Sequence, residues 1–177
     1  FILIHSESKD VSFPELPKGA GPIDKDAAKA FTATKSGLNY RILRKGTGAA
    51  PKATNTVRVH YHGWLDNGRV FDSSYERDED ISFGLNQVIA GWTEGMQLVG
   101  VGGMIELEIP YQLGYGERGA PPDIPGKSTL HFIVELLDMT EGPKPVEPGK
   151  VDKDAAEEFT KTKSGLKYRV RRKSSGS

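Results

Sequence analysis

Four stretches between Ser36 and Met139 alternate apolar and polar residues with a period of two, and this alternation limits the chain more than any other feature. Successive side chains of a strand point to opposite faces, so a strand that buries one face and wets the other needs that period. Leu38, Tyr40 and Ile42 alternate with Asn39, Arg41 and Leu43, and Val57, Val59, Tyr61 and Gly63 alternate with Arg58, His60, His62 and Trp64. Ile105, Leu107 and Ile109 face one way and Glu106 and Glu108 the other, while Leu130, Phe132, Val134 and Leu136 repeat the pattern. Asn67-Gly68 supplies a hairpin turn after the second stretch. One internal segment has helical spacing, with Trp92, Met96 and Val99 on one stripe and Gly95 and Gly100 keeping it short. The expected fold is α+β, a mainly antiparallel sheet laid over one short helix and confined to residues 36–139.

The flanks read differently. Pro14, Pro17, Gly19, Gly21 and Pro22 break any regular element, so residues 1–23 are expected as a flexible lead-in and Asp24 as the cap of a short N-terminal helix over 24–35. Sliding the chain by 128 positions lays residues 152–176 over 24–48 with 17 of 25 positions identical. Self-similarity of that kind marks a repeated unit. Residues 152–177 are therefore expected to be the truncated start of a second repeat, behind a Pro/Gly-rich linker over 140–151. Such an orphan segment is expected either to stay disordered or to exchange as a strand onto another molecule's sheet edge.

Composition narrows the function classes. Lys+Arg and Asp+Glu both number 24, so net charge argues for neither a nucleic-acid nor an anionic-membrane partner, and the longest apolar runs are too short to span a bilayer. The chain has no cysteine, which excludes a disulfide framework, a thiol nucleophile and thiolate metal ligation. It also has no G-x-S-x-G elbow, and its glycine-rich stretches at 100–103 and 114–116 lack the phosphate-binding lysine of a P-loop. His60 and His62 share a strand face with His131 as a third candidate ligand, but no accompanying acidic pattern suggests a metal, and the expectation is solvated imidazoles and no metal site. The run Glu76-Arg77-Asp78-Glu79-Asp80 reads as a solvated loop of mixed sign.

What remains is a density of aromatic and branched residues at strand ends and loops: Tyr61, Phe71, Phe83, Val88, Ile89, Trp92, Tyr115, Ile124 and Phe132. In the context of VRVHYHGWL (57–65), DNGRVFDSS (66–74), VIAGWTEG (88–95), Ile109-Pro110, LGYG (113–116), Ile124-Pro125 and TLHFIVELL (129–137), they resemble the FKBP-type peptidyl-prolyl cis-trans isomerases. The resemblance implies a twisted antiparallel sheet curling around the short helix and an apolar pocket that accepts a proline ring. It implies Trp92 as the pocket floor, Tyr61, Phe71, Val88, Ile89 and Phe132 as walls, and polar contacts from the Tyr115 hydroxyl, the Asp72 carboxylate and the Ile89 backbone N–H. Asp72, Tyr115, Phe71 and Trp92 are the implied catalytic set, and Ile124 belongs to an overhanging flap.

Two departures from the family pattern concern specificity. Ile81 stands where a second pocket aromatic is common, and the flap reads APPDIPGK (120–127), with Asp123 beside Ile124 and Gly126 in place of a second proline. The implied partners are proline-containing peptides and unfolded proteins, together with macrolide inhibitors such as tacrolimus or rapamycin, and no cofactor is implied. Rotation about an X-Pro bond breaks nothing covalent, so an acid, base or nucleophile cluster is not required. A proline-peptide-binding or chaperone module with little turnover is the alternative of a different class.

Overall fold

The computed structural model describes residues 12–142 and the backbone pairing of residues 160–161 with 167–168. The chain divides into two compact units, Phe1–Pro143 and Lys144–Ser177. In the first, the strands are β1 (Thr32–Ala33), β2 (Asn39–Arg44), β3 (Thr56–Leu65), β4 (Val70–Ser73), β5 (Ile81–Gly84), β6 (Met104–Ile109) and β7 (Leu130–Thr140), with one helix, α1 (Ala90–Gly95), between β5 and β6. Every pairing is antiparallel, in the order β1-β2-β6-β7-β3-β4, and β5 joins the first half of β3. The alternation expected from the sequence is the alternation observed: Val57, Val59, Tyr61 and Leu65 of β3 are buried on the side that carries the core. Among the described residues no helix is long and apolar enough to cross a membrane.

α1 packs across the sheet on small residues. A Cβ on Gly91 would lie 2.5 Å from Ile109 Cγ2, and one on Gly95 would lie 2.6 Å from Leu107 Cδ2, so only glycine lets the helix approach β6 this closely. The apolar stripe of Trp92, Met96 and Val99 is buried as its spacing predicts. At the other end of β3, Leu65 and Arg69 close the Asn67-Gly68 turn through the Leu65 N–H bond to the Arg69 carbonyl at 3.0 Å. Bulges at Arg58/Val59 and Gly63/Trp64 add twist to β3, so that it serves β5 along one half and β4 along the other.

Two expectations about the N-terminal flank are corrected. Residues 12–23 are an arm laid on the face of the sheet opposite α1, where Phe13, Leu16, Ala20 and Ile23 pack against Leu43, Met104 and Ile133. The prolines and glycines that forbid a helix there shape an extended strap, whose Gly21 N–H donates to Glu135 Oε1 at 2.8 Å. No helix forms over 24–35, either. Asp24 donates its N–H to the Leu43 carbonyl and accepts the Lys45 N–H on its carboxylate, both at 2.8 Å, so it is tied to the end of β2 rather than to a following helical turn. A single turn from Ala27 N–H to Asp24 C=O is all that follows before Thr32 and Ala33 pair with Tyr40 and Asn39. These tertiary bonds outweigh the helix propensity of the Ala-Ala pair.

The same arm turns the outer face into a second buried layer. Arg41, only 3% exposed, donates from Nε to Glu106 Oε2 at 2.6 Å, from Nη1 to the Lys29 carbonyl at 2.5 Å and from Nη2 to the Ser12 carbonyl at 3.0 Å. Its guanidinium carbon lies 5.1 Å and 4.6 Å from the ring centroids of Phe13 and Phe31.

In the second unit, β8 (Thr160–Lys161) pairs with β9 (Lys167–Tyr168), Thr160 opposite Tyr168 and Lys161 opposite Lys167. This is the register of β1 with β2, Thr32 opposite Tyr40 and Ala33 opposite Asn39, displaced by the repeat distance. Of the linker expected over 140–151, Thr140 ends β7 and residues 143–151 lie outside the described residues, as do the first 11 residues and, apart from 160–161 and 167–168, the segment 152–177 expected to stay disordered or to exchange.

Candidate functional site

Between α1 and the concave side of the sheet lies an open cavity of about 850 Å³. All ten residues singled out in the sequence line it: Tyr61, Phe71, Asp72, Ile81, Val88, Ile89, Trp92, Tyr115, Ile124 and Phe132. Phe83, Gln87, Ala120 and Asp123 complete the lining. Phe83 belongs to the aromatic set noted above and Ala120 and Asp123 to the flap, whereas Gln87 carries no sequence signal of its own.

The aromatic base is built edge to face. The Trp92 ring meets Tyr61 at 5.5 Å and 81° and Phe132 at 5.2 Å and 88°, while Phe71 meets Phe132 at 5.4 Å and 85°. Perpendicular contacts put positive ring edges on negative ring faces and lock the rotamers of the wall. Gly63 makes room for this: a Cβ there would stand 2.6 Å from Phe132 Cε1 and 2.7 Å from Phe71 Cζ. Phe83 tilts against Trp92 from the β5 side at 5.4 Å, but Ile81 on the same strand is 40% exposed and leaves that wall aliphatic.

At one side of the aromatic base sits a polar cluster. The β3–β4 pairing sets Asp72 opposite Gly63, two residues beyond Tyr61 on the same face of β3, and there the Tyr61 hydroxyl donates to Asp72 Oδ2. Arg77 Nη1 donates to Asp72 Oδ1, and its Nη2 donates to the Tyr61 hydroxyl oxygen at 3.0 Å. Partial burial works against ionisation of Asp72, but the bonds from Tyr61 and Arg77 outweigh it and hold the carboxyl below its usual range. Burial, with Asp72 as hydrogen-bond partner, pushes the Tyr61 phenol up. The result is an ionised carboxylate and a neutral phenol at neutral pH.

Arg77 is the member that the sequence reading missed. It lies in the charge run read as a solvated loop, where four acids surround it and conceal the one cation positioned to reach back to the Asp72 carboxylate. The turn that returns it starts at Ser74, with Asp78 N–H bonded to Tyr75 C=O and Glu79 N–H to Ser74 C=O. A carboxylate five residues before the only arginine of a turn was the available signal.

The flap is a pinned lip. Ala120 and Ile124 exchange backbone bonds at 2.9 and 3.0 Å, Lys127 N–H donates to the Gly116 carbonyl at 3.0 Å, and the Arg69 guanidinium donates to the Asp123 carbonyl. Ile124 is 5% exposed in the cavity wall, and Tyr115, 44% exposed, stands across the mouth. Neither the Tyr115 hydroxyl nor the Ile89 N–H has an acceptor among the described residues.

Among the described residues the histidines do not converge with acidic side chains into a group that could hold a metal. His60 and His62 lie on the face opposite Tyr61, as expected, but they are half-buried rather than solvated, their Nδ1 atoms 2.9 Å from Ser74 Oγ and 3.0 Å from Ser73 Oγ. His131 stacks on Trp64 and bonds Asp66 Oδ1 through Nε2 at 2.7 Å.

Comparison with known proteins bears on the whole of this arrangement. Residues 48–137 match the family model described as FKBP-type peptidyl-prolyl cis-trans isomerase. A probable FKBP-type isomerase of Haemophilus influenzae is 55% identical over 111 residues, 63% of this chain and 46% of that protein. The FKBP-type 22 kDa isomerase of Escherichia coli is 48% identical over 123 residues, covering 69% of this chain and 60% of its own length. Among solved structures, FkpA from Escherichia coli aligns with a TM-score of 0.63 at 47% identity, over 66% of this chain and 54% of that one. AtFKBP13 aligns with a TM-score of 0.60 at 35% identity, over 63% of this chain and 99% of that one. The chain spans 39–60% of the length of the first curated relatives it matches. With an antiparallel sheet around one short helix and more than half its length matched by the family model, the chain belongs to the FKBP-type peptidyl-prolyl cis-trans isomerase family.

Proposed function

We propose that the chain is a peptidyl-prolyl cis-trans isomerase that turns X-Pro bonds of peptides and unfolded proteins in the cavity beside α1. The observation that carries this reading is an aromatic base left open to ligands next to a carboxylate already paired with Tyr61 and Arg77. An X-Pro bond crosses a barrier of about 18–20 kcal/mol because of amide resonance. Twisting the bond removes that resonance and the charge separation that goes with it. A wall of Trp92, Phe132, Phe71 and Tyr61 takes the proline ring and strips water from the carbonyl, which favours the twisted amide over the planar one.

In this reading the polar groups orient rather than transfer protons. Asp72, kept ionised and aimed by Arg77, faces the electropositive edge of the bound carbonyl carbon, and the Tyr115 hydroxyl and Ile89 N–H donate to carbonyls flanking the proline. Ile124 closes over the substrate, and Val88 and Ile81 contact the residues beside it. Macrolides such as tacrolimus and rapamycin compete for the same cavity.

The test is cis-trans exchange of a short X-Pro peptide by NMR, with wild type beside Asp72→Ala and Trp92→Leu. Wild type accelerates exchange, and folded Asp72→Ala loses about tenfold, equivalent to about 1.4 kcal/mol. Peptide binding without acceleration in wild type would leave a proline-recognition module instead.

We infer further that residues 152–176 open a second unit of the same kind. The residues by which the first copy contacts its sheet recur at the repeat distance: Leu38, Arg41 and Arg44 correspond to Leu166, Arg169 and Arg172. Leu43, fully buried, corresponds to Arg171, which weighs against strand exchange of this segment into the first unit's sheet. Arg171→Leu is expected to raise the share of exchanged dimers on size-exclusion chromatography over that of wild type, and an unchanged profile would remove Arg171 as the barrier.

A further inference from the structure

We propose that Asp123 gives the cavity a preference for substrates with a lysine or arginine next to the proline. The inference rests on the isomerase reading and adds the charge of the substrate to it. Among the described residues only two charged ones line the cavity, Asp72 and Asp123, and both are carboxylates. Asp72 is neutralised by Arg77. The Asp123 carboxylate has no hydrogen bond or ion pair among the described residues; what binds Arg69 is the backbone carbonyl of Asp123.

Position makes this charge effective. Asp123 stands at the tip of a lip pinned by the Ala120–Ile124 bridge and by Arg69, and its neighbour Ile124 is buried in the cavity wall. The carboxylate is therefore held at the mouth without the entropy cost of a free loop. The other charges of the loop do not cancel it from inside: Glu117 and Lys127 pair with each other at 3.7 Å, and neither they, Arg118 nor Arg69 line the cavity. Arg69, bonded to the Asp123 carbonyl, moderates the field without lining the cavity. An apolar wall beside one carboxylate focuses its field on whatever residue flanks the bound proline.

Exposed ion pairs are weak, so the expected preference is modest, about twofold to fivefold in kcat/KM for a cationic over a neutral flanking residue. The experiment is NMR exchange with peptides carrying Lys, Leu or Glu immediately before the proline, and a second set carrying them immediately after it. Wild type and Asp123→Asn are compared at low salt and at about 1 M salt, where the Debye length falls to about 3 Å. The expected order in one of the two sets is Lys, then Leu, then Glu, with the Lys-to-Glu ratio collapsing towards one in Asp123→Asn and at high salt. Equal rates for Lys and Glu peptides in wild type would overturn the proposal, and so would a preference that survives in Asp123→Asn. Failure to accelerate even the Leu peptides would instead overturn the isomerase reading itself, since no charge is involved there.

Discussion

On the helix side of β3, Val57, Val59 and Tyr61 meet a wall of rings that is left open as a cavity, whereas on the other side Leu43, Met104, Ile133, Arg41, Glu106 and Glu135 are closed under the N-terminal arm. Both sides hold polar groups against apolar ones, yet they hold them differently. Under the arm every buried side-chain nitrogen or oxygen has a partner, as it does throughout the described residues. At the cavity mouth the Tyr115 hydroxyl, the Ile89 N–H and the Asp123 carboxylate are left without one among the described residues. Burial alone therefore does not mark the site. What marks it is an apolar wall whose neighbouring polar groups remain available to a ligand.

The sharpest way to break this contrast is Arg41→Ala. It leaves Glu106 charged and unpaired in a site where the two side chains are 2% and 6% exposed, and removing one partner of such a pair costs about 3–5 kcal/mol. A domain of this size has only about 5–15 kcal/mol in all, so the urea midpoint should drop sharply. Replacing both partners, Arg41→Met with Glu106→Leu, should regain most of the loss. If Arg41→Ala unfolds at the wild-type midpoint, the outer face is not the sealed layer described here.

The pH dependence of stability separates two carboxylates on that face. Burial raises the Glu135 carboxyl, but bonds from Arg44, Tyr75 and the Gly21 N–H outweigh it and the net direction is down from 4.5. Glu135 therefore stabilises the fold above pH 4.5, and that contribution is lost as pH falls through its lower folded value. For Glu106 burial outweighs the bonds from Arg41 and the net direction is up, so its contribution is fully present below 4.5 and lost as pH rises through its folded value. Glu135→Gln should cost about 1.5–3 kcal/mol at neutral pH, the scale of charged hydrogen bonds, and flatten the acid limb. Glu106→Gln should steepen it. Unfolding curves collected from neutral pH to below 4.5 check both signs.

The cavity side is tested by Ile81→Phe. Ile81 is 40% exposed, so a ring there has no core to disturb, and it completes the aromatic wall beside Phe83 and Trp92. An added aromatic contact of about 0.5–1.5 kcal/mol corresponds to about twofold to tenfold tighter binding of a proline peptide or tacrolimus, read by calorimetric titration. The thermal midpoint should stay where it is.

These residues also show what the sequence makes legible. The inner face of the sheet can be read from alternation, because each buried position of β3 is apolar or glycine, and the cavity lining can be read because aromatic residues at strand ends exceed what packing needs. The outer layer cannot. Arg41 and Glu106 alternate like solvent-facing residues, and only their pairing across β2 and β6 together with an arm from twenty-odd residues upstream converts them into core. The arm itself is written in prolines and glycines, which forbid regular elements without saying whether the chain packs. Arg77 was lost for a related reason: a turn's charges look solvated until its backbone returns one of them to Asp72.

The smallest expected effect makes the comparison sharpest. Lys45 Nζ lies 2.7 Å from Asp26 Oδ2, nearly the 2.6 Å separating Arg41 from Glu106; the first pair ties the position just after β2 to the segment before β1, the second spans β2 and β6. By distance the two are equivalent. Their surroundings differ, since the Lys45 and Asp26 side chains are each 72% exposed and water screens their attraction while two long side chains lose freedom to keep it. The hydrogen bond and opposite charge lower the Asp26 carboxyl and raise the Lys45 amine, but in a fully exposed pair those shifts carry little stability. The anchor that does matter at this position is the Lys45 backbone N–H bonded to Asp24, which side-chain replacement leaves intact. Lys45→Ala should therefore leave the urea midpoint at the wild-type value at both low and high salt. A loss approaching that of Arg41→Ala would mean that contact distance, and not closure under the arm, ranks the ion pairs of this sheet.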